Sequence, residues 1–215
     1  TAARPLAAGR VTSGEALGLC AASLLIGVYW LAWQVNLLTA ALGVASWLLY
    51  VVAYTPMKPR GPANTAVGAV AGAIPILMGW TATGAPLGLA AFSLAGVLYL
   101  WQFPHFMAIA WLYRRDYGAV GMQMLTVVDP SGIRAGVQAV TGAALLMPVS
   151  LIPALNPPSG SPMVYALWAV LLGGCQLLLA IRFALQRDDL SARRLLRASL
   201  IYLPAWMGLQ LMVSL

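Results

Sequence analysis

The stretch Trp101-Gln102-Phe103-Pro104-His105-Phe106-Met107-Ala108-Ile109-Ala110-Trp111-Leu112-Tyr113-Arg114-Arg115-Asp116-Tyr117 runs from an apolar segment into a cluster of charge. The apolar part belongs to a run over 87–113, longer than the roughly 20 residues a helix needs to cross a bilayer. Six more runs of similar character lie at 16–33, 37–54, 63–80, 135–155, 163–185 and 195–213. Hydrophobic residues make up 61% of the chain and charged residues 8%, with a mean hydropathy of +0.85, well outside the range of soluble domains. None of the runs has the short apolar core and cleavage site of a signal peptide. The longest connection, 114–134, is too short to hold a soluble domain. The expected fold is all-α, a polytopic transmembrane helical bundle of seven spans forming one domain over 1–215.

The charges set the topology. They gather before the first span (Arg4, Arg10, Glu15) and in alternate connections. Those connections hold Lys58 and Arg60, then Arg114, Arg115, Asp116, Asp129 and Arg134, then the group from Arg182 to Arg197. The connections 34–36, 81–86 and 156–162, and the C-terminus, carry none. All charge therefore lies on one side, which the positive-inside rule makes the cytoplasm or mitochondrial matrix. The net charge of +7 is thus a matter of topology and implies no nucleic-acid partner. Cys20 and Cys175 sit inside spans without metal-ligand spacing and read as packing residues. Small residues such as Gly68 and Gly72 allow close helix contact, and Pro75 and Pro104 can bend their spans.

Few residues are left that can carry chemistry. If 87–113 continues as one helix, His105 and Asp116 are about three turns and about 16 Å apart on one face, with Gln102 one turn deeper. A histidine at that depth either ties two helices together or lines a site. Asp116, beside Arg114 and Arg115, is either an interfacial ion pair or a ligand for magnesium, which favours carboxylate and phosphate oxygens. Lys58 and Arg60 are explained by topology alone, or bind an anion on the same face; Asn64 opens the next span. Asp188 and Asp189 read as a loop leading to a helix N-cap at Ser191.

Several segments together resemble the haem O synthase (protoheme IX farnesyltransferase) branch of the UbiA-type membrane prenyltransferases. Thr1-Ala-Ala-Arg4-Pro5-Leu6 is similar to the segment after that family's first aspartate motif. Tyr54-Thr55-Pro56-Met57-Lys58, Asn64 and 68–75 are similar to its central block, and Trp101 to Phe106 with Asp116-Tyr117 to its most diagnostic block. The resemblance implies a nine-helix fold opening to the inside. It also implies transfer of farnesyl from farnesyl diphosphate to a vinyl group of protoheme IX (haem B), giving haem O on the route to haem A. Asp116 would bind Mg2+ and, with Lys58, form the catalytic pair at the diphosphate. His105, Arg115, Arg4, Asn64, Tyr117 and Gln102 would bind substrate, with His105 facing the haem. Implied partners are the lipid bilayer and haem A synthase. The implied location is a bacterial inner (plasma) membrane with cytoplasmic charged loops, ahead of the mitochondrial inner membrane.

Three departures stand out. Val120 occupies the place of a further aspartate, Pro75-Ile76 replaces a Pro-Pro, and the first aspartate motif, N-x-x-x-D-x-x-x-D, does not occur. The chain starts at Thr1, so the expectation is a domain lacking two helices and that motif, and inactive by itself. Competing readings are a UbiA-type prenyltransferase acting on an aromatic or quinone precursor, a transporter, and a scaffold. Intramembrane charges or related halves would favour a transporter, and the sequence has neither.

Overall fold

A computed structural model describes residues 5–6, 8–155 and 161–214. Seven helices are long and apolar enough to cross a membrane, as the sequence predicts. The elements in order are α1 (Ser13–Gln34), α2 (Leu37–Leu48), a π-helical turn (Leu49–Tyr54), α3 (Thr55–Met57), α4 (Asn64–Ala82) and α5 (Leu89–Leu112). There follow α6 (Arg114–Ala119), α7 (Leu125–Val128), α8 (Ile133–Leu151), α9 (Pro162–Gln186) and α10 (Asp189–Ser214). Among the described residues there is no strand. In hydrocarbon only a helix or a closed barrel satisfies every backbone donor and acceptor, and these sequences satisfy theirs as helices. The exposed leucines, isoleucines and tryptophans of the outer faces belong to a multi-pass membrane protein.

Several helix ends differ from expectation, each for a local reason. Thr12 and Glu15 form a reciprocal capping box, so α1 begins ahead of its apolar run. Asp188, not Ser191, caps α10: its carboxylate accepts the Ser191 N–H at 2.7 Å. The last span therefore starts at Asp189, and Arg193, Arg194 and Arg197 are helical residues within its first turns. The expected loop 114–134 contains two short helices, α6 and α7.

The second span continues as one helix from Leu37 to Met57 only by widening. Pro56 has no N–H and crowds the carbonyl four residues before it. The backbone responds with the π turn, in which the Thr55 N–H reaches Tyr50 O; the Thr55 hydroxyl donates to the same carbonyl at 2.8 Å. Such turns are uncommon and concentrate at functional sites.

Hydrogen bonds between loops establish which connections share a side. On the charged face, Gln123 N–H donates to Lys58 O (2.8 Å), and Arg114 pairs with Asp189 (3.1 Å). On the opposite face, Asn36 Nδ2 donates to Thr81 O at 2.7 Å. The charge pattern is thus the true up-and-down order of the helices.

The core lies where α5 meets α8, α9 and α10, around Met107, Trp111, Ala139, Ala143, Phe183 and Leu195. Close approach depends on glycine. A Cβ at Gly142 would stand 2.7 Å from Phe103 Cβ and 3.2 Å from Leu100 O, the carbonyl that Pro104 leaves without its helical donor. A Cβ at Gly136 would meet Ala184 Cα at 2.7 Å. Overpacking of this kind costs about 1–3 kcal/mol. Gly142→Ala should therefore lower the thermal unfolding temperature in detergent, whereas an unchanged temperature would show that α5 and α8 can part freely.

Candidate functional site

A cavity of about 740 Å³ opens on the charged face between the end of the second span and α6. It is lined by Tyr54, Lys58, Tyr113, Asp116, Tyr117, Met122 and Met124, among others. Lys58, Asp116 and Tyr117, picked out separately in the sequence, thus meet around one space. Lys58 is half-buried, with its ammonium 4.6 Å from the Tyr54 ring centre and 5.9 Å from that of Tyr50. The two rings are themselves 5.2 Å apart, held by the π turn. Tyr54 lies flat against Gly68, where any Cβ would come within 2.7 Å of the ring.

Asp116 is singled out by elimination. Glu15 caps α1, and Asp188 caps α10. Asp129 accepts from Ser131 and from the Arg134 N–H before α8. Asp189 accepts from Trp111 Nε1 and Arg114. Asp116 accepts no hydrogen bond from the described residues, and their one ion pair joins Arg114 to Asp189. An unpaired carboxylate and an unpaired ammonium therefore share a cavity. Among the described residues no group of three His, Cys, Asp or Glu gathers, so an all-protein metal cage is excluded there. Magnesium fits on other terms, because it binds through one or two carboxylates together with substrate phosphates and water.

Tyr117 is half-buried on α6. Burial pushes its phenol above the usual range, and the neighbouring Tyr113 phenol and Asp116 carboxylate push it the same way. The hydroxyl is accordingly a proton donor at neutral pH. Gly121, with φ of 71°, turns the chain out of α6 so that Gln123 can reach Lys58 O. That bond ties the Lys58 segment to the one that follows Asp116.

The rest of the candidate set lies elsewhere. The single-face arrangement of Gln102, His105 and Asp116 is corrected: α5 stops at Leu112, Tyr113 leaves helical geometry (φ −106°, ψ 19°), and Asp116 sits on α6. Gln102 faces α4, where its amide donates to Ala69 O (3.0 Å) as well as to Leu98 O (3.2 Å). Asn64 is fully buried, and its amide donates to Gly61 O at 2.7 Å, closing the turn ahead of α4. Arg115 is exposed on α6 and does not line the cavity. Arg4 lies outside the described residues.

His105 faces α10. It stacks on Trp101 (centroids 4.6 Å apart), and its Nδ1 is 2.9 Å from Ser199 Oγ. Ser199 has one proton, and its Oγ lies 2.7 Å from Leu196 O. With that proton given to the carbonyl, Ser199 accepts from Nδ1–H, which leaves the lone pair on Nε2. Trp101 Nε1 also donates to Ser199 O (2.7 Å), fixing the stacked ring. Sequence reading missed Ser199. Its distance of 94 residues from His105 hides it, and the one available signal was a serine within an apolar span.

The sequence model of the UbiA prenyltransferase family matches residues 1–203. A protoheme IX farnesyltransferase of Solibacter usitatus is 43% identical over 212 residues, covering 99% of this chain and 72% of that protein. One of Rhodopirellula baltica is 42% identical over 213 residues, 95% of this chain and 74% of that protein. The mitochondrial protoheme IX farnesyltransferase of Arabidopsis thaliana is 38% identical over 208 residues, 97% of this chain and 48% of that protein. No solved structure matches the chain.

The raised Tyr117 phenol has a pH consequence. A tyrosine that ionises less readily when folded stabilises the fold fully below its unfolded value, near 10. That contribution is lost as the pH rises through the folded value. In a spectrophotometric phenol titration, Tyr117→Phe should remove one group titrating above the ordinary tyrosine. Loss of a group at the ordinary value would contradict the burial described.

Proposed function

The chain belongs to the UbiA prenyltransferase family, and from that premise we propose that it carries out farnesyl transfer to protoheme IX at the charged-face cavity. The observation that carries this reading is the meeting of Lys58, Asp116 and Tyr117 around one space beside the aromatic pair Tyr50 and Tyr54.

Diphosphate is costly to bring to a bilayer surface unless its charge is neutralised. The Lys58 ammonium and Tyr117 hydroxyl face it with one positive charge and one donor, and both act more strongly as charge collects on the departing group. Asp116 would hold a magnesium ion, which would supply further countercharge. As the C1–O bond of farnesyl diphosphate breaks, the electron pair leaves with diphosphate and an allylic cation remains. Tyr54 lines the space where that charge forms, with Tyr50 packed beside it, and the apolar Val120, Met122 and Met124 help to keep water from it. The π electrons of a porphyrin vinyl group form the new C–C bond. Water takes up the resulting carbocation beside the ring and releases a proton, giving the hydroxyethylfarnesyl group of haem O.

Arg115 and Arg4 join the phosphate contacts on the family resemblance alone. Gln102 and Asn64 support the site through α4, since their amides are engaged with backbone carbonyls. His105 presents its Nε2 lone pair to the haem iron, and Ser199 holds it in that tautomer. The charged face is assigned to the bacterial cytoplasm, and apolar haem O passes within the membrane to haem A synthase.

The test uses membranes carrying the complete protein to which this chain belongs, labelled farnesyl diphosphate, and either haem B or 4-hydroxybenzoate. Label should enter haem B. Entry into 4-hydroxybenzoate instead would assign the chain to the aromatic-acceptor enzymes of the family. Lys58→Ala and Asp116→Asn should each slow transfer about 10²-fold, the usual effect of removing one transition-state contact. Full activity of Asp116→Asn would refute its role. Ser199→Ala should weaken haem binding about 10–100-fold, the usual effect of losing a ligand's supporting hydrogen bond. Unchanged haem affinity in His105→Ala would remove both residues from the acceptor site.

A further inference from the structure

The face of α9 and α10 carries arginines that form no ion pair with a described carboxylate, and none of them lines the charged-face cavity. In the connection from Arg182 to Arg197, five arginines meet two aspartates, and both carboxylates are engaged. Asp189 holds Trp111 and Arg114, and Asp188 caps α10. Hydrogen bonds from Ser191 hold the Asp188 carboxyl below the usual carboxylate range, the Arg194 charge adds a smaller push the same way, and the two form no ion pair. Arg194 and Arg197 are exposed, and no described carboxylate lies within ion-pair distance of either.

Their height in the bilayer makes this notable. Arg197 is eight residues into α10, about 12 Å along a helix that crosses the membrane. Charged groups inside a span normally face a partner, a polar pathway or a bound ligand. Here they stand at the charged end of a groove of about 360 Å³ between the two helices. Away from the arginines its walls are mainly apolar, including Leu172, Leu179 and Ile201. A neighbouring furrow of about 460 Å³ runs along α9 and ends at Arg182. The two share Cys175 and Leu179 as a common ridge.

We infer that this face binds one anionic diacyl phospholipid of the surrounding bilayer, with its phosphate on Arg194, Arg197 and Arg182 and one acyl chain in each groove. Charge complementarity selects an anionic head, because no described carboxylate forms an ion pair with these guanidiniums. The paired apolar grooves select a lipid with two chains over a free phosphate, which would leave both unfilled. Basic pockets between spanning helices on the positive side suit such headgroups.

The test is binding of phosphatidylglycerol to the full-length chain in phosphatidylcholine nanodiscs, read by native mass spectrometry and by the shift in unfolding temperature. Phosphatidylglycerol should bind and raise that temperature, while additional phosphatidylcholine should not. Arg194→Gln/Arg197→Gln should weaken binding about thirtyfold, the effect of removing two guanidiniums near the headgroups. Arg60→Gln/Arg134→Gln, with the same loss of charge elsewhere on this face, should leave it intact. Ala198→Phe, which fills the groove and keeps the arginines, should also weaken it, so the proposal does not depend on one variant folding. Equal binding in wild type and the Arg194/Arg197 variant would overturn the inference. So would equal stabilisation by inorganic phosphate, which would make the occupant a soluble anion.

Discussion

Inside a bilayer a backbone N–H or C=O without a partner has no water to turn to, and the rest of this architecture follows from that. It makes every span a helix and makes each proline inside one a local problem to be solved. Pro56 is accommodated by widening the helix into a π turn, with the Thr55 amide and hydroxyl both taken by Tyr50 O. Pro104 is accommodated by setting Leu100 O against Gly142, where α8 has no side chain. The first solution arranges the aromatic wall around Lys58. The second brings α5 and α8 close enough to form the main core.

Scarcity of charge gives the functional argument its force. With five acidic residues, the use of each can be followed, and four are taken up by helix caps or by the Trp111–Arg114–Asp189 junction. The fifth, Asp116, stands at a cavity with an ammonium and a phenol and engages neither in an ion pair. Among the arginines, Arg194 and Arg197 stand exposed at the end of an apolar groove between α9 and α10. The charged face thus holds two separate features, an ammonium and a carboxylate at one cavity and exposed arginines at a groove between α9 and α10.

The spans and their sidedness were legible because they rest on composition and on the alternation of charge, both one-dimensional properties. Lys58, Asp116 and Tyr117 were legible as residue types in place, through motif resemblance. What could not be read was the break at Tyr113, since no proline or glycine marks it and the apolar pattern runs through. Without that break, Asp116 seemed to share a helix with His105. The start of α10 was placed at Ser191, three residues late, because Asp188 and Ser191 are both good capping residues and only the fold shows that Asp188 accepts the Ser191 N–H. Where the Gln102 and Asn64 amides donate could not be read either, since their partners, Ala69 O and Gly61 O, are set only by the fold. Ser199 could not be foreseen, because its relation to His105 exists only once α5 and α10 are packed.

The π turn at Leu49–Tyr54 also works as a phase device. A helix carries angular information along its length, about 100° for every residue. If this segment closed as ordinary α-helix with no residue lost, all that follows would rotate by about that angle relative to α2. Lys58 would swing off the cavity wall while the span kept its length and its hydrophobicity. The Lys58 side chain at the cavity is therefore aimed by a turn several residues upstream, and the hydropathy of the span would give no sign if that aim were lost.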